Sequence, residues 1–246
     1  MGGLAVRYLR SLALVLFVAL IPVTLATSNV RFAANEGRIY EYGFDKYDAA
    51  ARTGLPRDEI SRAGRELREY FNNKQSTIHI LVQEDGQEVA LFNDRETAHL
   101  HDVKHLFRLT FAVQELGVAY LFTYVVGVFV WAREGSLRRL ATQVLAGSLV
   151  AMVAIAGLGA VALAGFDRAF EQFHLIAFSN DLWQLDPRTD HLIQMFPEGF
   201  WFDVTMLVGL LTLAEAALLA VGSGLYLGLT RRRRTTVVLA PSGQHA

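Results

Sequence analysis

The chain has no cysteine. That excludes disulfides, cysteine nucleophiles and thiolate metal sites. Net charge is also nearly missing, at −1 over 246 residues. The near-zero total hides a strong asymmetry along the chain. What the chain has in quantity is apolar surface, with 52% of its residues hydrophobic. Four stretches are long and apolar enough to cross a bilayer core, which takes about 20 helical residues. They are Ser11–Thr27, Leu109–Trp131, Leu140–Phe166 and Val204–Leu229. Helices are the expected form, because unpaired backbone groups in lipid exclude everything but helices and closed barrels.

Lys and Arg near the span ends set the orientation. Arg7 and Arg10 precede the first span, Arg133, Arg138 and Arg139 fill the loop between the second and third, and Arg231–Arg234 close the fourth. These places alternate, so both termini and that loop are expected inside. The four-arginine run reads as an inside anchor touching anionic lipid, not as a nucleic-acid site. The segment 167–203 is acidic, with Asp167, Glu171, Asp181, Asp186, Asp190, Glu198 and Asp203 against Arg168 and Arg188. The first span reads as an uncleaved anchor, because its apolar stretch is long for a signal peptide.

The expected architecture is an all-α polytopic membrane protein, a four-helix transmembrane bundle with N-in/C-in topology. A small extracytoplasmic α+β domain, a helix plus a hairpin, stands between spans one and two. The boundaries are 1–27 for the N-terminus and first span, 28–108 for the outer domain, and 109–166 for the middle spans. The outer loop is 167–203, the fourth span 204–230 and the inner tail 231–246. The tail TTVVLAPSGQHA carries no pattern and is expected to be disordered.

Within 28–108, DEISRAGRELREYFN (58–72) places Ile60, Leu67, Tyr70 and Phe71 between charges, as an amphipathic helix does. STIHILVQ and EVALFN flank Asp85–Gly86, a hairpin signal. Asn93 and Glu96 read as a capping box opening a helix that runs into the second span. In 167–203 the aromatics Phe166, Phe170, Phe173, Trp183, Phe196, Phe200, Trp201 and Phe202 read mostly as an interfacial belt.

Six of the seven histidines fall in the two outer segments: 79, 99, 101, 105, 174 and 191, with His245 in the tail. His79, on an expected strand, reads as structural or exposed. Residues two apart on a helix point about 200° apart, so His99 and His101 face differently. His101 and His105 share a face, but HDVKH lacks the glutamate of HExxH. They read first as solvated interface residues and second as zinc ligands. His99 shares a face with Glu96 and Asp102, either of which can orient an imidazole. Glu115 and Glu215 lie within spans, where carboxylates are costly and therefore functional candidates. Arg108 is a partner candidate for Glu115, and Gln114 or Gln143 for Glu215.

FNDRETAHLHDVKHLF (92–107) and FHLIAFSNDLWQLDPRTDHLIQMFP (173–197) resemble the two motifs of the bacterial lipoprotein intramolecular transacylase family. The resemblance covers most of the chain. It implies a multi-pass protein of the bacterial plasma membrane with an extracytoplasmic active site. The reaction it implies moves the sn-2 acyl chain of a diacylglyceryl lipoprotein to that protein's N-terminal cysteine amine. It implies His99 and His174 as catalytic residues, and no cofactor or metal. The usual pattern has Met where Leu100 stands, an apolar-for-apolar exchange. His101 and His105 are extra to the pattern.

The expected partners are the lipoprotein substrate and membrane lipid, with no nucleic acid. Supporting roles fall to Glu96, Asp102, Asn180, Asp181 and Trp183, with Asn180, Trp183 or Ser179 as donors to an oxyanion. His174 stands as base or as nucleophile. Two other readings stand beside this one. The first is a zinc-dependent membrane hydrolase built on His99 or His101–His105 with His174 and outer carboxylates. The second is a non-enzymatic module that holds lipid or a partner.

Overall fold

A computed structural model describes residues 2–84, 86–131 and 136–238. Asp85 of the expected turn, Arg133, and the tail from 239 with His245 lie outside the described residues, as do the side chains of Arg231–Arg234. The elements are α1 (Gly2–Asn35), α2 (Gly37–Lys46), α3 (Ala49–Thr53), α4 (Arg57–Asn72), β1 (Leu81–Glu84) and β2 (Gln87–Ala90). They continue with α5 (Asp94–Val125), which ends in a π-helical turn at Val126–Trp131, and α6 (Leu137–Ala164). Then come α7 (Phe166–Ala177), α8 (His191–Met195) and α9 (Glu198–Val238). Among the described residues, four helical segments are long and apolar enough to cross a membrane: Leu4–Asn35, Asp94–Val130, Leu137–Ala164 and Glu198–Thr230. The chain is a mostly helical, multi-pass membrane protein with one small two-stranded sheet. Residues 235–238, expected as part of a patternless tail, extend α9.

The chain divides into two compact units. The first takes Met1–Ala26, Gln114–Ala156 and Leu211–Ala246. With no hydrophobic force between helices in lipid, packing of close surfaces must hold such spans together. Gly117 of α5 lies so close to Thr24 of α1 that a Cβ would collide with its hydroxyl, and Gly147 of α6 meets Ile21 in the same way. Phe17 stacks on Tyr124 with centroids 4.5 Å apart. The Tyr120 hydroxyl donates to the Ala13 carbonyl at 2.9 Å. Arg138 of α6 donates to the Thr230 hydroxyl and the Leu227 carbonyl of α9.

The second unit takes Thr27–Val113 and Gly157–Leu210 and has a water-soluble kind of core. Ile60, Leu67, Tyr70 and Phe71 of α4 are all buried, as the amphipathic spacing requires. They pack with Tyr40 and Phe44 of α2, Leu55, and Ile78, Ile80, Leu91 and Phe92 around the hairpin. The Cβ-free face of Gly64 admits the Phe44 ring, so α2 and α4 approach closely. The helices α2 and α3 carried no expectation. Each has a side-chain cap, from Glu36 to the Arg38 N–H and from Asp48 to the Ala51 N–H.

The strands are antiparallel, with Leu81 opposite Ala90 and Glu84 opposite Gln87. Gly86 sits at φ +78°, the left-handed conformation that favours glycine in such a turn. The strands are shorter than the apolar alternation suggested. His79 precedes β1 as an exposed residue between buried Ile78 and Ile80. The two-residue alternation is satisfied by burying one face, and only the four residues nearest the turn on each side pair as a ladder.

The segment 167–203 holds α7 and α8 and gives Leu192, Met195, Phe196 and Phe200 to this same core. Phe196 and Phe200 are therefore not belt residues. They fill space against Tyr40 and Phe44, with the Phe44 and Phe196 rings 5.3 Å apart. Asp203, at the start of α9, accepts from Lys46, Tyr42 and Tyr47 and fastens α2 to it. Ile60 is fully buried on α4. Ile60→Ala should destabilise this unit by about 2–5 kcal/mol. Limited proteolysis and thermal unfolding in detergent would read it, and an unchanged profile would contradict the packing described.

Candidate active site

The N-terminus of α5 is built as its sequence suggests. The Asn93 side-chain oxygen accepts from the Glu96 N–H at 3.0 Å, and Glu96 Oε2 accepts from the Asn93 N–H at 2.8 Å. Glu96 does more than cap. Its Oε1 accepts from the Leu192 N–H of α8 at 2.7 Å, and the side chain is only 1% exposed. Asn93 also donates to Asp190 at 3.0 Å, while His191 Nδ1 bonds the Leu91 carbonyl at 2.7 Å. Burial pushes the Glu96 carboxyl above its usual range, and the two N–H donors partly oppose that. The first motif is thus clamped onto the second through a buried carboxylate.

One turn further along α5, His99 points into the interior and is 6% exposed. Its ring lies 6.1 Å from that of His174, centroid to centroid, inclined at 35°. His174, on α7, is 7% exposed. The rings of Phe170, Phe173, Phe178 and Trp183 surround it, and Trp183 stacks at 4.9 Å. Phe178 also meets His99 edge-on at 5.2 Å. The aromatics of this segment therefore wall a histidine pair.

The two imidazoles have different hydrogen-bond states. His174 Nδ1 lies 2.7 Å from the Phe170 carbonyl, an acceptor, so Nδ1 carries the proton and Nε2 keeps its lone pair. His99 Nδ1 is buried with no partner. Burial lowers the basicity of both rings. His99 falls to about 4, with His174 as a second cause, and Asp102 opposes weakly. His174 is also lowered by burial, against the Phe170 carbonyl. Two neutral imidazoles therefore face each other at neutral pH.

The expected supporting residues are present, but in other roles. Neither Glu96 nor Asp102 makes a hydrogen bond that orients His99. Glu96 is spent on two backbone N–H groups, and Asp102 accepts from Asn180 Nδ2 at 2.9 Å. Trp183 Nε1 donates to the Asn180 carbonyl at 3.0 Å, so two of the three expected oxyanion donors are already engaged. Asp181 pairs with Arg95 at 3.6 Å, and its carbonyl accepts from the same guanidinium. Ser179 is exposed. Helix geometry does separate the histidines as expected, since His101 and His105 are exposed and His99 is buried. Among the described residues no three His, Asp or Glu side chains are grouped so as to hold a metal ion. The Phe170 carbonyl and the Phe178 ring were not singled out from sequence. The carbonyl stands four residues before His174 on the same helix, which is the one signal that could have found it.

These features define a class: a polytopic membrane protein with a pair of buried, neutral histidines in an aromatic chamber. The chain belongs to the lipoprotein intramolecular transacylase (Lit) family, whose model matches residues 14–201. An uncharacterised protein of Aquifex aeolicus (strain VF5) is 26% identical over 216 residues, 83% of this chain and 89% of that one. The fold is similar to that of the membrane integral lipoprotein intramolecular transacylase Lit from Bacillus cereus. The TM-score is 0.75 at 20% identity, covering 93% of this chain and 99% of that one. A histidine-to-alanine variant of the Bacillus cereus protein matches with a TM-score of 0.73 at 19% identity, over 95% and 100% of the two chains.

The depressed basicity of His99 has a consequence for stability. An unfolded chain takes up a proton at this residue as pH falls below about 6.5, and the fold resists protonation until about 4. Its contribution is therefore full above pH 6.5 and is lost as pH falls towards 4, on the order of 3 kcal/mol. Thermal midpoints from pH 7.5 down to 4.5 should drop less in His99→Gln than in the unsubstituted protein. Parallel curves would contradict the assignment.

Proposed function

We propose that this protein carries out the transfer implied by its family, from the sn-2 ester of a diacylglyceryl lipoprotein to that protein's own N-terminal amine. The observation that carries the proposal is the pair of buried neutral imidazoles 6.1 Å apart. The site lies outside the inner leaflet if the arginine-rich ends are cytoplasmic, as the alternation of Arg7 and Arg10 with Arg138 and Arg139 supports.

The amine must attack as a neutral nucleophile. His174 Nε2 takes the proton as the C–N bond forms, because Nδ1 is committed to the Phe170 carbonyl. The Trp183 stack and that hydrogen bond hold the ring in one orientation. The carbonyl oxygen gains charge and needs a donor already in place. His99 supplies it as a neutral imidazole N–H, since burial keeps the imidazolium scarce. The tetrahedral intermediate then collapses. The C–O bond to the glycerol breaks, and the proton on His174 passes to the departing sn-2 oxygen. An amide replaces an ester and a free hydroxyl remains on the glycerol, with no water consumed and no cofactor needed. Both reactants belong to one molecule, so positioning supplies much of the rate.

Mass spectrometry of lipoprotein N-terminal peptides tests this in a bacterial host that has no other N-acylating enzyme. The intact protein should give N-acylated, lyso-form peptides. His99→Ala and His174→Ala should each lower the product by about 100-fold or more, with unchanged protein levels. Diacyl peptides with free amines in the presence of the folded protein would sink the reading. Full yield of N-acylated peptides in both variants would instead remove the catalytic roles of His99 and His174.

A further inference from the structure

Face to face with solvent on α5, away from His99, lies a cavity of about 220 Å³. Its walls carry five basic side chains, Lys74, His101, Lys104, His105 and Arg108, and no carboxylate. Asp102 lies 3.8 Å from His101 Nδ1, but it accepts from Asn180 and does not line the cavity. Lys104 forms the floor and is 4% exposed. Its ammonium donates to Asn73 Oδ1 at 3.0 Å and the Gln75 carbonyl at 2.6 Å, and it sits 3.9 Å from the centre of the Tyr70 ring. These are neutral partners, so the positive charge is buried without a counter-ion. Arg108 is likewise bonded to a neutral group, the Asn73 carbonyl. Burying an uncompensated cation is costly, and a second and third cation on the same rim add repulsion. Binding an anion would relieve both.

The position narrows what that anion is. Arg108 is the last residue before the apolar stretch of α5, and the next side chain, Leu109, is exposed. A basic pocket at the end of an apolar span stands at head-group depth, where anionic lipid gathers. We propose that this cavity binds the phosphate of an anionic phospholipid, with Lys104 at its floor, Lys74 and Arg108 at its rim, and the acyl chains along the adjoining apolar face of α5. His101 and His105, one helical turn apart, add N–H donors to the phosphate oxygens. The proposal is independent of the acyl-transfer reading and uses neither His99 nor His174.

Native mass spectrometry of the full chain in detergent, with phosphatidylglycerol, phosphatidylcholine or inorganic phosphate added, tests it. Lys74→Gln/Arg108→Gln changes only exposed side chains, and its thermal midpoint serves as the control for folding. The expected result is that phosphatidylglycerol is retained about tenfold less by the double variant, with phosphatidylcholine retention unchanged. Equal phosphatidylglycerol retention by both proteins would overturn the site. Loss of inorganic phosphate binding alone, with lipid retention unaltered, would overturn the lipid assignment. Lys104→Met should lower retention further. If that variant does not fold, the exposed pair alone decides.

Discussion

The candidate site depends on one buried carboxylate. Glu96 accepts from the N–H of Asn93 at the start of α5 and from the N–H of Leu192 at the start of α8. The two bonds join stretches of chain almost one hundred residues apart, each bearing one of the facing histidines or the segment that leads from it. The second of these bonds ties the start of α5, one turn before His99, to the segment that follows His174. Asp190 and His191 add bonds at the same seam, to Asn93 and to the Leu91 carbonyl. Polar groups taken out of water must be matched. A matched buried network is specific in a way that apolar packing alone is not.

That seam explains why the charged and amide residues of the two motifs do not serve the imidazoles directly. Asp102 and Asn180 bond to each other, and Arg95 holds Asp181. They set the distance between α5 and the loop after α7. The imidazoles are left to face each other inside an apolar wall of Phe170, Phe173, Phe178 and Trp183. Such a wall excludes water, which keeps both rings neutral and would favour transfer of an acyl group to an amine over its loss to hydrolysis.

The opposite face of the same helix carries the opposite electrostatics. His99 loses its charge to burial among rings, whereas Lys104 keeps a cation buried on carbonyl, amide and tyrosine partners. Burial lowers the basicity of that ammonium too, with Arg108 as a second cause. One helix thus presents a neutral, buried imidazole face and a cationic face within two turns, because residues two and five apart fall on different sides of its axis.

Much of this was legible in the residues. Apolar runs of span length determined the four crossing helices, the Asn93–Glu96 spacing determined how α5 begins, and i,i+4 geometry separated His99 from His101 and His105. The amphipathic spacing of 58–72 also pointed to Ile60, Leu67, Tyr70 and Phe71, which are buried. The rest depended on partners remote in sequence. Phe196 and Phe200 look like interface aromatics until α2 is packed against them. Glu96 looks like a local cap, or an orienting group for His99, until α8 arrives. The lone pair left on His174 is decided by one backbone carbonyl. Local pattern determines which face of a helix is apolar and where it starts. Only the tertiary structure decides which of several polar groups a buried donor finds, because that choice is made by distance between segments and not by spacing within one.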